Sequence, residues 1–247
     1  MALNSFQTHE TEPCDSATFF PVDQLINGII HNINNPLTIL KVRTQLLLSK
    51  FPQNAALSAI LENTGRIESI LGNLATKLKE EQNSAPRSLS LNAMINIELR
   101  YLEADLFFKH HVIKNIYLQE SLPVIRAVYR SISQGFLALV AAAITNMHDS
   151  PQKILTIRTY DTTEGCELEI SDTGTFLPSN MIAAINDFLK VPNAKKSSVR
   201  AVARHPISNI LYQSYRHLQP YISQYEINPN LPVGMQCQIS FPTKNKG

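Results

Sequence analysis

The sequence predicts an α+β protein: an N-terminal antiparallel helical hairpin that pairs with a second copy into a four-helix bundle, followed by a two-layer α/β sandwich. Three observations carry the prediction. Two long stretches near the N-terminus place apolar residues at three- and four-residue steps. A polar stretch at residues 79–88, containing Pro86, breaks that pattern. Beyond it, helical and strand-like runs alternate in the order expected of a mixed sheet covered on one face by helices.

The first helix is read from Val22, Ile26, Ile29, Ile33, Leu37, Leu40 and Leu47, with Thr44 in the polar slot of the stripe. After a break at residues 49–54, the second is read from Leu57, Ile60, Leu61, Thr64, Ile67, Leu71, Leu74 and Leu78. Two such stripes on one hairpin leave a wide apolar seam, and a homodimer covers it. The expected organisation is a flexible N-terminus (1–20), the hairpin (21–82) and a second domain (88–247). In that domain, helices are expected at 92–109, 127–147, 179–190 and 200–218, and strands at 112–118, 153–160, 166–171, 221–227 and 235–241.

The 247 residues suffice for two modest cores. With 44% hydrophobic and 17% charged residues, the composition fits a folded chain rather than a disordered or collagen-like one. The formal net charge is +2, and no basic stripe with interleaved aromatics occurs, so nucleic acid is not an expected partner. No signal-peptide pattern and no apolar run of membrane-spanning length is visible, and the expected location is the cytoplasm, without a membrane partner. Cys14, Cys166 and Cys237 are odd in number and far apart, which suits reduced bystanders, and no histidine spacing suggests a metal site.

One histidine stands out by its surroundings. Helical spacing puts His31 on a face with Asn27, Gly28, Asn34, Asn35 and Thr38, all small or polar. The stripe through Ile26, Ile29 and Ile33 is expected to be buried elsewhere on the circumference, leaving the imidazole to project into solvent. Imidazole is in good part unprotonated near neutral pH, and its nitrogen is then nucleophilic. Pro36 cannot donate to the carbonyl of Asn32, so a bend is expected just after the histidine. The bland alternative for any histidine on a helix surface is simple solvation, and the other histidines, His110 and His111 among them, are read that way.

The segment Ile29-Ile30-His31-Asn32-Ile33-Asn34-Asn35-Pro36-Leu37-Thr38 closely resembles the phosphoacceptor motif of sensor histidine kinases, and the resemblance extends from about residue 20 through nearly the whole chain. It implies a dimerising hairpin whose histidine carries phosphate, followed by a sandwich of the histidine-kinase ATPase (Bergerat-like) type. Departures from the family pattern are as informative. Asn32 stands where kinases carry a carboxylate, and an amide cannot serve as a general base. In the helix at 134–147, Ala138 and Ala142 occupy the two usual asparagine positions, and a methyl group offers magnesium no oxygen. The turn Asp172-Thr173-Gly174-Thr175-Phe176 keeps Asp172 and Gly174 as remnants of the nucleotide motif, with Phe176 replacing its second glycine. Residues 191–216 contain no glycine, so the phosphate lid is missing.

The resemblance therefore implies a histidine phosphotransferase, of the dimeric kinase-derived kind, that relays phosphate between His31 and receiver-domain aspartates without using ATP. No cofactor is expected on the chain itself, and Mg2+ is expected in the partner receiver. Receivers would dock against Asn34, Thr38, Lys41, Val42 and Gln45, and a hybrid histidine kinase is a further candidate partner. Asn35, one turn beyond His31, matches the position where family phosphatases orient a water. Without its partner motifs Asp172 is read as a turn residue at a strand end rather than a nucleotide ligand, and the competing readings of the chain are a pseudo-histidine kinase acting as a binding scaffold and residual kinase activity.

Overall fold

The computed structural model describes residues 22–175, 179–190, 206–230 and 232–243. The chain divides into two compact units, Met1–Leu61 and Glu62–Gly247.

In the first unit, α1 (Val22–Lys50) runs unbroken through Pro36. Residues 51–54 separate it from α2 (Ala55–Glu81), which begins in this unit and continues into the next. Asn54 starts α2 because its side-chain oxygen accepts from the backbone amides of Ala56 (3.1 Å) and Leu57 (3.2 Å), two donors that a helix start leaves open.

Burial on α1 follows a seven-residue column: Ile30 (6% exposed), Leu37 (7%) and Thr44 (3%). The expected stripe is corrected here, because Ile29, Ile33, Leu40 and Leu47 are exposed in the single chain. A three-and-four stepping pattern joins two adjacent columns into one, and only the column at 30, 37 and 44 is covered. Thr44 tolerates burial because its hydroxyl donates to the carbonyl of Leu40 at 2.8 Å. On α2 the buried column is Thr64, Leu71 and Leu78, again at sevens, while Ile60 and Ile67 are exposed.

The second unit is built on a mixed five-stranded sheet. Its strands are β2 (Ile113–Leu118), β4 (Ile154–Thr162), β5 (Gly165–Asp172), β6 (Gln224–Pro229) and β7 (Met235–Pro242), in the order β2-β4-β5-β7-β6. Only the β2–β4 pair is parallel, with Ile113 opposite Ile154; the others are antiparallel. Strict alternation along β4 and β7 sends Leu155, Ile157, Cys237 and Ile239 to the inner face. There they join Met94 and Ile95 of α3 (Leu91–Leu102), Phe136, Leu139 and Met147 of α5 (Tyr129–Met147), and Leu211 and Leu218 of α7 (Pro206–Leu218) in one core. Helix α6 (Ser179–Lys190) is tied to β6 by Asn186, whose amide donates to the carbonyl of Ile227 (2.8 Å) and accepts from its N–H (3.0 Å).

The sequence reading merged two helices at 92–109. Asp105 separates them: its carboxylate accepts from the N–H of Phe108 at 2.7 Å and starts α4 (Leu106–His111) afresh. Two short strands were also missed, β1 (Arg87–Leu89) and β3 (Ile125–Ala127), which pair antiparallel. At three residues each they are too short to show a period. Residues 200–205, expected as the start of the last helix, lie outside the described residues, as do Phe176, the 191–205 stretch and Cys14. Cys166 and Cys237 are buried free thiols, each held protonated by burial, Cys166 with its pKa pushed up to about 11.

Candidate functional site

The His31 face lies wholly on α1. At about 100° per residue, Asn34, Asn35, Thr38, Lys41, Val42 and Gln45 fall within about 80° of His31 around the helix, whereas Asn32 is turned about 100° away. His31, Asn32, Asn35, Thr38, Val42 and Gln45 are exposed, and Asn34 and Lys41 are half-buried. The Thr38 hydroxyl donates to the carbonyl of Asn34 at 2.9 Å, which occupies an acceptor one turn before Thr38. Pro36 supplies no N–H, so the carbonyl of Asn32 gains no bond from position 36. These residues present an imidazole, the amides of Asn34, Asn35 and Gln45, the Thr38 hydroxyl, the Lys41 ammonium and the apolar Val42, with no carboxylate among them.

Sequence reading missed two members of this surface. Ile39 (55% exposed) and Leu46 (60%) stand at its edge, within about 80° of His31 by the same 100° step. The signal was available, since both lie off the three-and-four stripe and yet are large and apolar.

A second cluster forms at the end of β5. Asp172 is buried, and its Oδ1 accepts from the Gly174 N–H (2.8 Å), the side-chain amide of Asn146 (2.8 Å) and the Met235 N–H (3.3 Å). Asn230 donates to its backbone carbonyl at 2.7 Å. Asp172 therefore joins the end of α5, the turn after β5 and the start of β7. Burial pushes its carboxyl up to about 6, opposed by those three donors. Two glycines are required around it. A Cβ on Gly174 would lie 2.6 Å from atoms of Asn146, and Gly234, at φ +99°, passes so close that a Cβ would lie 1.9 Å from the Asp172 carbonyl oxygen. Asn146, Asn230 and Gly234 were not legible as site residues, because nothing in their spacing ties them to Asp172.

The fit of this cluster to a nucleotide is divided. Oδ2 of Asp172 is buried and has no hydrogen-bond partner among the described residues, and a carboxylate oxygen so placed suits an amino group. The α5 wall offers nothing for the phosphate end: Ala142 is buried, Ala138 is half-buried, and neither can ligate a cation. Among the described residues, no group of three or more His, Cys, Asp or Glu side chains could hold a metal ion.

Sporulation kinase A of Bacillus subtilis (strain 168) is 26% identical over 222 residues, an alignment that covers 90% of this chain. The chain is homologous to sensor histidine kinases. It spans about a third (34%) of the length of that curated relative. No protein-family model matches it. Among solved structures, similar ones include the Acinetobacter baumannii histidine kinase AdeS, at 17% identity, covering 87% of this chain and 98% of that one with a TM-score of 0.44. Another is the catalytic domain of histidine kinase ThkA, at 15% identity, 64% and 97% coverage and a TM-score of 0.49. Among the described residues of this histidine-kinase homologue, no helix is long and apolar enough to cross a membrane.

Proposed function

We propose that this chain is a two-component signalling protein in which His31 exchanges a phosphoryl group with receiver-domain aspartates, and that it does not phosphorylate itself from ATP. The observation that carries the reading is the exposed His31 on a face of α1 whose neighbouring residues offer amides, one hydroxyl and one ammonium and no carboxylate. Transfer from a receiver asks little else of the carrier. The ring nitrogen attacks the phosphorus of the aspartyl phosphate, the N–P bond forms, and the P–O bond breaks with its electron pair leaving on the carboxylate. The proton on the other ring nitrogen then passes to solvent. The receiver brings the Mg2+ that neutralises the moving phosphoryl oxygens.

Attack on ATP would need more: a base beside the imidazole, where Asn32 stands, and oxygen ligands for magnesium, where Ala138 and Ala142 stand. The receiver's contact would be the His31 face, with Asn34, Thr38, Lys41, Val42 and Gln45 beside the ring.

The exposed apolar column Ile33, Leu40 and Leu47, three residues after the buried column Ile30, Leu37 and Thr44, supports the homodimer. Two columns offset by three within a heptad are the a and d positions of a bundle helix, and a second copy would cover the open one.

The deciding experiment mixes a phosphorylated receiver with the protein and follows the label, with and without ATP. Wild type gains label and His31→Ala does not; absence of label from both refutes the proposal. The same losses at Asn32, Ala138 and Ala142 suit a scaffold that binds a kinase or a receiver. That reading requires His31→Ala to retain full signalling function.

A further inference from the structure

Residues 82–86, Gln-Asn-Ser-Ala-Pro, join the end of α2 to β1 and are exposed throughout, as a linker that could serve as a hinge would be. The side chains on either side of them contradict that role. Lys77, four residues before the end of α2, has a side chain only 6% exposed. Its Nζ donates to Oε2 of Glu98 on α3 (2.7 Å) and to Oγ of Ser133 on α5 (2.9 Å), and pairs with Oε1 of Glu81 (3.0 Å). An ammonium has three N–H donors, and all three are engaged. The Glu98 carboxylate is fully buried, and its other oxygen accepts from the Tyr129 hydroxyl at 2.7 Å. Beyond the joint, Arg87 returns to ion-pair with Glu80 and lies over the Tyr129 ring. All of these residues lie within the unit Glu62–Gly247.

We propose that Lys77 is a latch that fixes the last turns of α2 to the sandwich as one rigid body, so that residues 82–86 do not work as a hinge. A closed network of this kind has no half-open state. Any rotation about the joint that withdraws Lys77 takes the cationic partner from a fully buried side chain, Glu98, where the penalty is steep. Delivery of a group by swinging the sandwich about residues 82–86 would have to break the latch. The latch holds whether or not His31 carries phosphate.

The test is a distance measurement between two spin labels in the full chain. One label is placed on α2 by Ser69→Cys and the other on the sandwich by Gln152→Cys, both exposed positions. Cys14→Ser removes the third cysteine of the sequence, and unlabelled chain is added in excess so that only intramolecular distances register. The latch predicts one narrow distance peak, and loss of that single peak to a broad or split distribution in Lys77→Met with circular dichroism unchanged. Because Lys77→Met strands Glu98, the double variant Lys77→Met/Glu98→Gln, which removes both charges and keeps an acceptor for Tyr129, is run beside it. A broad wild-type distribution overturns the proposal. So does a narrow peak in the folded double variant. Should neither variant fold, the wild-type distribution decides, since a hinge at 82–86 would make it broad.

Discussion

Asn146, in the last turn of α5, donates its side-chain amide to Oδ1 of Asp172 at 2.8 Å, while Oδ2 of the same carboxylate has no partner among the described residues. The carboxylate is thus half satisfied in a buried place, and its charge is the destabilising part. Its pKa is about 6 in the folded chain against an ordinary 3.8, so the folded state binds the proton more tightly than the unfolded one. Stability from this group is fully present below about pH 4 and is lost as pH rises through about 6, on the order of 3 kcal/mol in all. Asp172→Asn keeps the Oδ1 acceptor and removes the charge. Its melting temperature relative to wild type should therefore move upward by several degrees between pH 4.5 and pH 8, as two to four degrees correspond to about 1 kcal/mol at this size. A difference that stays flat with pH would contradict the assignment.

The Lys77 network sets up a contrast between single and double variants. Lys77→Met should lower unfolding free energy by about 3–5 kcal/mol, because the fully buried Glu98 side chain loses its cationic partner. In Lys77→Met/Glu98→Gln most of that loss should be recovered. Urea denaturation of both variants and of Glu98→Gln completes a double-mutant cycle, and additive losses would mean that the two side chains are not coupled.

Charge placed on the open column of α1 should separate dimerisation from folding. Ile33→Glu/Leu40→Glu alters only positions that are exposed in the single chain, so helix content is expected to persist. Sedimentation equilibrium should report the mass of two chains for wild type and of one chain for the variant. An unchanged mass would remove these residues from the interface.

At His31 the expected outcome is loss of function without loss of fold. His31→Ala should abolish label uptake from a phosphorylated receiver and change stability by no more than about 0.5 kcal/mol, as for other surface substitutions. Asn35→Ala tests the subordinate activity. If Asn35 orients water, receiver dephosphorylation slows while transfer to His31 continues, and equal dephosphorylation by both proteins excludes that role.

Nucleotide binding is separable into its two ends. With Ala138 and Ala142 on the α5 wall, magnesium should not strengthen ATP binding, and calorimetry with and without Mg2+ should give the same heats. A magnesium-dependent increase would revive the kinase reading.

Much of the architecture could be read directly. Helix α1 occupies the predicted span, and strand-like runs expected at 153–160 and 235–241 form β4 and β7 with alternating burial. Errors arose where a short-range pattern allowed two answers. The apolar stripe of α1 contains two heptad columns, and periodicity cannot say which one the chain itself covers. The break at Asp105 was hidden because α3 and α4 share one helical pattern across a single capping residue.

By itself the sequence determined the element types, the fold class and the position of His31 on a polar face of a long helix, because each depends on residues a few places apart. Only the tertiary structure decided which column of α1 is buried, that Asp172 joins Asn146 to Met235, and that Lys77 closes on Glu98. Those pairs are 26, 63 and 21 residues apart in the chain. Partners so distant are chosen by how whole elements pack and by the cost of leaving buried charge unpaired, and no local pattern encodes either.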